Sequence, residues 1–415
     1  MISFNEYTLS NGLVLIVHED HTTPMAAVNI LYNVGARDED PHRTGFAHLF
    51  EHLMFGGSIH IPSYDEPLER AGGENNAFTS NDITNYYLSL PAENLETAFW
   101  LESDRMLNLA FSEKSLEVQR SVVMEEFKQR YLNQPYGDVF LLLRPLAYQT
   151  HPYQWPTIGK ELRHIADAQM EEVKAFYHKF YNPCNAIMAV SGDVHGDDVY
   201  ALAEKWFGSI PSGSPYHRRL PQEPKQQQQA RLTVEREVPS NALYMAWHMP
   251  GRLDKRYHRT DLISDILSHG ESSRFTQKLV KEQPYFTELN AYITGDLDPG
   301  LFIISGKPNE GVSFEEAEAV ILKELELLKS TPPPERELQK MKHKIESILL
   351  FSELKITTIA LNLCIARLMG DTNLINTELE RYLEVTPTMI SEQAQALFTP
   401  ENSSILRYQS QKESK

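Results

Sequence analysis

The feature that most restricts the fold of this 415-residue chain is a break near its midpoint. Residues 211–229 contain four prolines, a short Ser/Gly segment and a run of four glutamines. Such a stretch does not easily pack a hydrophobic core, so it predicts a linker. A chain of this length that is 41% hydrophobic can bury two cores. We therefore expect two domains, at residues 1–210 and 230–408, followed by a flexible tail at 409–415.

The two sides of the linker show a similar order of patterns. The first has strand-like alternation at 6–18 and 26–34, then a short apolar helix, a strand at 85–90 and long helical stretches. The second begins with strand-like runs at 230–238 and 242–249 and continues with a helical pattern at 260–269. The economical interpretation is an α+β fold with two homologous domains, each a mainly antiparallel sheet packed with helices.

The short helix of the first side contains His48-Leu-Phe-Glu51-His52. Residues four apart share a helix face, so the two imidazoles can bind one Zn²⁺. Glu51 lies beside that face, where its carboxylate can take a proton from a water molecule at the metal. This order is the inverse of the commoner His-Glu-x-x-His and is a known zinc-peptidase signature. The alternative is a chance match in a chain with 15 histidines.

A catalytic zinc needs a third protein ligand and keeps one position open. The candidates are the adjacent acids Glu125 and Glu126, in a helical pattern that includes Gln119. Glu126 shares a helix face with Gln119, whereas Glu125 points about 100° away. Adjacent acids on a helix are usually only its solvated side, so the residues alone leave this ligand open.

Several further short sequence motifs, spread along nearly the whole chain, resemble those of the inverted-zincin metallopeptidase superfamily of pitrilysin, insulinase and the mitochondrial processing peptidase. They also occur in the same order as in that family. They lie at residues 7–12, 32–37, 75–79, 85–88, 151–159 and 181–185. The chain is similar to the short, bacterial-type members that form half of a clamshell. The resemblance implies that His48, His52 and Glu126 bind one Zn²⁺ per chain and that Glu51 is the catalytic base.

The resemblance also implies a substrate-binding segment. Asn76, Ala77 and Phe78 would form an edge strand to which an extended peptide adds as a further strand. From the residues alone, the same segment reads as an ordinary hairpin. Family members often have another carboxylate seven residues before the ligand Glu, and this chain has Gln119 there. A neutral amide can form hydrogen bonds but lacks the charge that would support the metal site.

The second half departs from the zinc motif. Aligning the glycines that end the two helices, Gly57 and Gly270, places Asp261, Ser264 and Asp265 at the positions of the motif. The second half then has no zinc triad, and its expected role is architectural.

A second departure concerns the stabilisation of negative charge during hydrolysis. Active family members typically supply an Arg and a Tyr, seven residues apart, from the opposing half of the clamshell. Val280 and Thr287 stand at those places here, and Tyr285 fits only if the register slips by two residues. Longer family members contain four such α+β units, arranged as a clamshell. A chain of this length supplies two of them, so we expect a dimer. The missing pair favours a heterodimer with a homologous subunit that carries it; a homodimer is the alternative.

We therefore expect a zinc-dependent endopeptidase that hydrolyses peptides or unfolded segments. The alternatives are a non-catalytic structural or core subunit of the same fold, and a zinc hydrolase with another substrate. A formal charge of −18 argues against nucleic-acid and anionic-membrane partners. Two distant cysteines, Cys184 and Cys364, do not form a disulfide framework. The sequence has no signal-like start or membrane-length apolar run, so we expect a cytoplasmic location.

Overall fold

The computed structural model describes residues 1–411, which contain two sheets and their covering helices. The strands are β1 (Asn5–Thr8), β2 (Val14–Glu19), β3 (Met25–Tyr32), β4 (Glu74–Thr79), β5 (Thr84–Pro91), β6 (Ala186–Gly192), β7 (Ala230–Arg236), β8 (Ala242–His248), β9 (Phe286–Ile293), β10 (Leu301–Pro308) and β11 (Ser403–Ser410).

The α-helices are α1 (Phe46–Leu53), α2 (Asp65–Arg70), α3 (Leu95–Leu107), α4 (Glu113–Phe127), α5 (Val139–Ala147), α6 (Leu162–Ala166), α7 (Met170–Phe180), α8 (Gly196–Phe207), α9 (Tyr257–Ser268), α10 (Phe314–Ser330), α11 (Glu335–Ser352), α12 (Ile356–Leu368), α13 (Leu374–Leu383) and α14 (Pro387–Leu397). Two π-helical segments, Lys128–Leu132 and Thr276–Glu282, accompany them. In the described part of the chain no single helix is long and apolar enough to cross a bilayer; α11 and α12 pass that test of length and composition only as a bent pair.

The two sheets share one strand order. The first runs β1-β2-β6-β3-β5-β4 and the second β7-β11-β8-β10-β9. In each, one pair is parallel, β2 with β6 and β7 with β11, and the other neighbours are antiparallel. If β1 is left out, the strand order of the first sheet matches the strand order of the second sheet, strand for strand. The predicted α+β fold class, with two mainly antiparallel sheets packed with helices, is confirmed.

The compact units differ from the predicted contiguous domains because two segments are exchanged. One unit comprises residues 1–128, 155–220 and 350–377, and the other comprises 129–154, 221–349 and 378–411. In the first unit, α12 buries Ile359 and Leu363 against Leu31 and Ala189 of the first sheet. In the second, α5 buries Val139, Leu143 and Ala147 against residues that include Ala246, Ile303 and Leu406. Each sheet is therefore covered by a helix from the opposite half of the sequence.

The stretch predicted as a linker has no regular secondary structure, and the boundary between the units falls within it, after Leu220. It is nevertheless held by specific contacts. Arg218 donates to both carboxylate oxygens of Asp38, at 2.7 and 2.9 Å. The carboxylate of Glu223 accepts the backbone N–H groups of Gln149 and His151, each at 2.8 Å. The segment is therefore an ordered connection.

The predicted tail at 409–415 is wrong at its first residues. Gln409 and Ser410 belong to β11 and pair in register with Glu235 and Arg236 of β7. The parallel ladder between the two strands continues through these positions, so the second domain does not end at residue 408. Residues 412–415 lie outside the described part of the chain.

Candidate metal centre and peptide-binding edge

The helix that carries the histidine motif, α1, begins at a fixed point. Gly45 precedes it with a φ of 91°, and a Cβ added there would lie 2.6 Å from the carbonyl oxygen of Ile158. Glycine alone combines this left-handed backbone with so close a neighbour. The two side-chain oxygens of Glu39 accept the N–H groups of Gly45 and Ala47, both at 2.8 Å. These contacts satisfy donors that have no partner within the helix.

Glu39 is buried where it holds the start of α1. Burial raises the pKa of its carboxyl from 4.5 to about 8, although the two backbone donors act to lower it. Glu39 was not among the residues predicted from the sequence. Its place six residues before Gly45 matches no standard capping spacing, so no local pattern identifies it.

His48, His52 and Glu126 converge between α1 and α4. The Oε2 atom of Glu126 lies 3.7 Å from Nε2 of His48 and 3.4 Å from Nε2 of His52. One donor atom from each of the three lies within 4.8 Å of the other two. The three side chains are 11%, 24% and 18% exposed, in the order named. The structure thus brings together the three residues that the resemblance implied as ligands.

This donor set fits a zinc ion. Ligand atoms at about 2.0–2.1 Å from a tetrahedral zinc are about 3.3 Å from one another. The separations of 3.4 and 3.7 Å from the Glu126 oxygen are close to that spacing. Two imidazole nitrogens and one carboxylate oxygen also leave a fourth position open, as a catalytic zinc requires.

The two adjacent acids at the end of α4 have different surroundings. Glu126 points toward the histidines, whereas the Glu125 side chain is 54% exposed and lies 3.8 Å from Lys128. Immediately after α4 the chain becomes π-helical over Lys128–Leu132. Such segments are frequent at functional sites. The geometry therefore favours Glu126 over Glu125 as the third donor.

Glu51 lies on α1 between the two histidines and is partly buried. Tyr86 and Tyr181 have phenol pKa values raised above 10, mainly by burial and in part by the negative charge of Glu51. The Tyr86 hydroxyl also donates to the carbonyl of Phe50 at 3.3 Å. A carboxylate in this position, next to the metal donors and partly shielded from water, suits a general base.

A buried ion pair lies beside the aromatic side chains that pack near α1. Arg105 and Glu102, both on α3, are each 2% exposed and form two hydrogen bonds, at 2.7 and 2.8 Å. The Arg105 guanidinium lies 4.4 Å from the ring centroid of Tyr64 and 4.5 Å from that of Tyr86. This pair was not predicted from the sequence, although opposite charges three residues apart on a helix are a usable signal.

Gln119 lies on α4 two turns before Glu126, on the same face and partly buried. A supporting role for its amide stays a prediction.

The predicted peptide-binding residues lie on β4, the last strand of the first sheet. Asn76, Ala77 and Phe78 pair with Tyr87, Tyr86 and Asn85 of β5. Within residues 1–411 no strand pairs with the other side of β4. Helix α1 packs against β4, so this edge borders the helix that carries the metal donors. The edge-strand geometry is present, and peptide binding to it stays a prediction.

In the second half, the helix that follows the first two strands of the sheet is α9. It carries Asp261 and Asp265 at the positions aligned with the histidines. Tyr382 donates to Asp261 at 2.7 Å, and the Lys344 ammonium lies 2.6 Å from Asp265. A lysine on α11 thus supplies the positive charge opposite these acids.

The positions aligned with the missing Arg/Tyr pair have structural contacts. Val280 packs against the hydrophobic core of the second sheet, and so does Tyr285. The Thr287 hydroxyl donates to the carbonyl of Lys307 at 3.2 Å. Neither aligned residue offers the cationic and phenolic groups of the family pair.

Comparison with known proteins identifies the family. Residues 14–161 match the model described as insulinase (peptidase family M16), and residues 167–345 match the peptidase M16 inactive domain. The zinc protease PqqE of Helicobacter pylori is 31% identical over 345 residues, which are 81% of this chain and 77% of that protein. YmxG of Bacillus subtilis, an uncharacterized zinc protease, is 25% identical over 83% of each chain. The chain therefore belongs to the M16 peptidase family.

Solved structures agree with this assignment. A protease from Helicobacter pylori superposes with a TM-score of 0.92 at 26% identity, covering 99% of this chain and 100% of that one. A peptidase M16 inactive domain from Pseudomonas fluorescens gives a TM-score of 0.89 at 18% identity, covering 100% and 99%, and shows likeness of fold alone. Together with the relatives named as zinc proteases, the matches support a peptidase-like function.

Proposed function

We propose that this chain is a zinc-dependent endopeptidase in which His48, His52 and Glu126 hold the metal and Glu51 is the general base. The observation that carries the proposal is the convergence of three donor atoms within 4.8 Å, beside a carboxylate on the same helix. Family membership supports a peptidase-like activity, while these residues supply the specific chemistry.

The residues act in a defined order in this proposal. When bound, zinc would activate a water molecule and polarise the scissile carbonyl. Glu51 takes a proton from the attacking water and delivers it to the leaving amine. The phenols of Tyr86 and Tyr181 are buried near Glu51. They keep their protons because burial and the negative charge of Glu51 raise their pKa values.

We propose β4 as the binding edge for the substrate. An extended peptide added beside Asn76, Ala77 and Phe78 would form main-chain hydrogen bonds, which hold peptides with little regard to sequence. The edge position of β4 in the sheet and its packing against α1 support this choice.

We further propose that the working enzyme is a heterodimer. Donors aimed at the developing negative charge contribute about 10²–10³ in rate, and the aligned Val280 and Thr287 do not provide them. A homologous subunit carrying the Arg/Tyr pair would supply them. A homodimer is the alternative, and hydrolysis at full rate by the isolated chain would contradict the heterodimer.

Metal content of the isolated chain tests the ligand set. After dialysis against zinc-free buffer, which removes weakly held ions from exposed sites, we expect about one zinc per chain in the wild type and in Glu125→Gln, and an affinity at least about 100-fold lower in Glu126→Gln. Glu125→Gln is the matched control because it changes the neighbouring acid on the same helical turn. Equal zinc loss in both variants would contradict the assignment, and a wild type without zinc would support a non-catalytic scaffold.

Hydrolysis of a quenched peptide tests the base. With the pair-bearing subunit added, Glu51→Gln should keep its zinc and lose about 10²–10⁴ in rate, because general-base catalysis contributes that much. Hydrolysis at the wild-type rate would remove Glu51 from this role. The Gln side chain is isosteric, so the comparison changes the proton acceptor without opening space.

A further inference from the structure

A second group of metal-binding side chains lies where β2 ends and α8 begins. Strands β2 and β6 are parallel neighbours, with Glu19 opposite Gly192. The residues that follow both strands therefore emerge at the same end of the sheet. This topology brings His21, shortly after β2, next to His195, which precedes the first residue of α8.

The donor atoms of this group converge. Glu19 Oε2 lies 3.8 Å from Nε2 of His21 and 4.0 Å from Nδ1 of His195. One donor atom from each residue lies within 4.8 Å of the other two, as in the His48, His52 and Glu126 set. The side chains of His21, Glu19 and His195 are 49%, 38% and 71% exposed, so they have room to close the gap of about 0.5–0.7 Å between these distances and the spacing of about 3.3 Å around a tetrahedral zinc.

Two of the three side chains are oriented by a contact on their far side. Nδ1 of His21 lies 2.7 Å from the Asp193 carboxylate. An Nδ1–H that donates to this carboxylate leaves the lone pair on Nε2, the atom that faces Glu19. Carboxylates of this kind are the usual outer partners of metal-binding histidines. The other oxygen of Glu19 accepts the Gly196 N–H at 2.8 Å, so Oε2 remains directed at the imidazoles.

The charges around the group favour a cation on balance. The N-terminus of α8 carries a partial positive charge that opposes a metal ion. Asp197 and Asp198 in the first turn of α8 act against that charge, together with Asp193. A simple ion pair needs one histidine and one acid, whereas here two imidazole rings, with centroids 5.0 Å apart, approach the same carboxylate oxygen.

We propose that Glu19, His21 and His195 form a second binding site for a divalent transition-metal ion, such as Zn²⁺ or Cu²⁺. Imidazole nitrogen and carboxylate oxygen suit both ions. Bound metal ties the end of β2 to the start of α8 and leaves the remaining coordination positions open to solvent. The site stands independently of the proposed peptidase activity.

Calorimetric titration of the full chain with Zn²⁺ tests the site. The starting variant carries His48→Gln and His52→Gln, which removes the first centre. We expect one zinc equivalent to bind to this variant, with affinity at least about tenfold lower after either His21→Gln or His195→Gln is added. Asp193→Asn should weaken binding by about 10-fold while keeping the stoichiometry, because it acts through His21.

His42→Gln is the matched control, since His42 is exposed in the same unit and outside the cluster. It should leave the titration unchanged. Retained binding in the variant that lacks both His21 and His195 would overturn the proposal. So would an absence of binding up to about 1 mM Zn²⁺ in the starting variant, provided that its circular dichroism matches that of the wild type.

Discussion

Replacing Arg105 by methionine should destabilise the unit that carries α1 without touching any metal donor. The change leaves the Glu102 carboxylate buried, at 2% exposure, and within residues 1–411 only the Tyr64 hydroxyl, at 2.5 Å, still donates to it. Breaking one partner out of a buried ion pair costs about 3–5 kcal/mol. The guanidinium also loses its position over the rings of Tyr64 and Tyr86, worth about 1 kcal/mol each. We expect the free energy of unfolding to fall by about 5–7 kcal/mol.

Removing both charges should restore most of that loss. In Glu102→Leu with Arg105→Met, apolar side chains replace the pair, and such exchanges are often neutral. The Tyr64 hydroxyl then loses its acceptor, which costs about 1–3 kcal/mol. We expect the double variant to lie within about 3 kcal/mol of the wild type, and the two changes to be strongly coupled.

Urea unfolding followed by tryptophan fluorescence measures this cycle. Three of the four tryptophans, Trp100, Trp155 and Trp206, lie in the same compact unit as the pair, so the signal follows that unit. Glu102→Leu alone completes the cycle. An Arg105→Met cost below about 1 kcal/mol would refute a stabilising role for this pair. A double variant no more stable than the less stable of the two single variants would refute it as well.

Three further predictions concern the start of α1, at Gly45 and Glu39, and the aligned helix α9, whose Asp265 pairs with Lys344. Gly45→Ala should cost more stability than Gly370→Ala and should lower zinc affinity, because both have positive φ but only Gly45 has a backbone oxygen 2.6 Å from the new Cβ; denaturant and zinc titrations of the two variants measure this. Because burial raises the pKa of Glu39 to about 8, the folded chain keeps a proton that the unfolded chain releases above 4.5. The stability that protonated Glu39 contributes should therefore be lost as pH rises from about 5 through 8, by up to about 5 kcal/mol. Glu39→Gln should remove this pH dependence from the free energy of unfolding, as measured by unfolding curves recorded across this range. Lys344→Ala should cost about 1–3 kcal/mol by leaving Asp265 without its ammonium partner, while the zinc content stays at the wild-type value by elemental analysis.

The periodicity of apolar residues was enough to predict several strands and the helix that carries the histidine motif. The runs at 26–34 and 242–249 are β3 and β8, and the helix bounded by Gly45 is α1. The apolar flanks and the spacing of His48 and His52 place both imidazoles on one helix face, as expected. Glu126 is separated from them by more than seventy residues, so only the family resemblance identified it before the geometry was known.

The features that escaped prediction depend on contacts between distant segments. Glu39 reaches the start of α1 through a loop whose path has no periodicity. The exchange of α5 and α12 has no local signature either, because an apolar helix face reads the same whichever sheet it covers. The ordered path of the linker depends on Arg218 meeting Asp38, and proline and glutamine content says nothing about such a partner.

Because α12 lies late in the sequence, the first sheet is synthesised well before the helix that covers it. All six strands of the first sheet have left the ribosome once Gly192 has emerged, yet the helix that covers Leu31 and Ala189 ends at Leu368. At about 5–20 residues per second, the apolar face of that sheet stays open for roughly 10–35 s. A nascent chain truncated before α12 would present this surface to chaperones and proteases, so premature termination yields a substrate for quality control rather than a smaller stable domain.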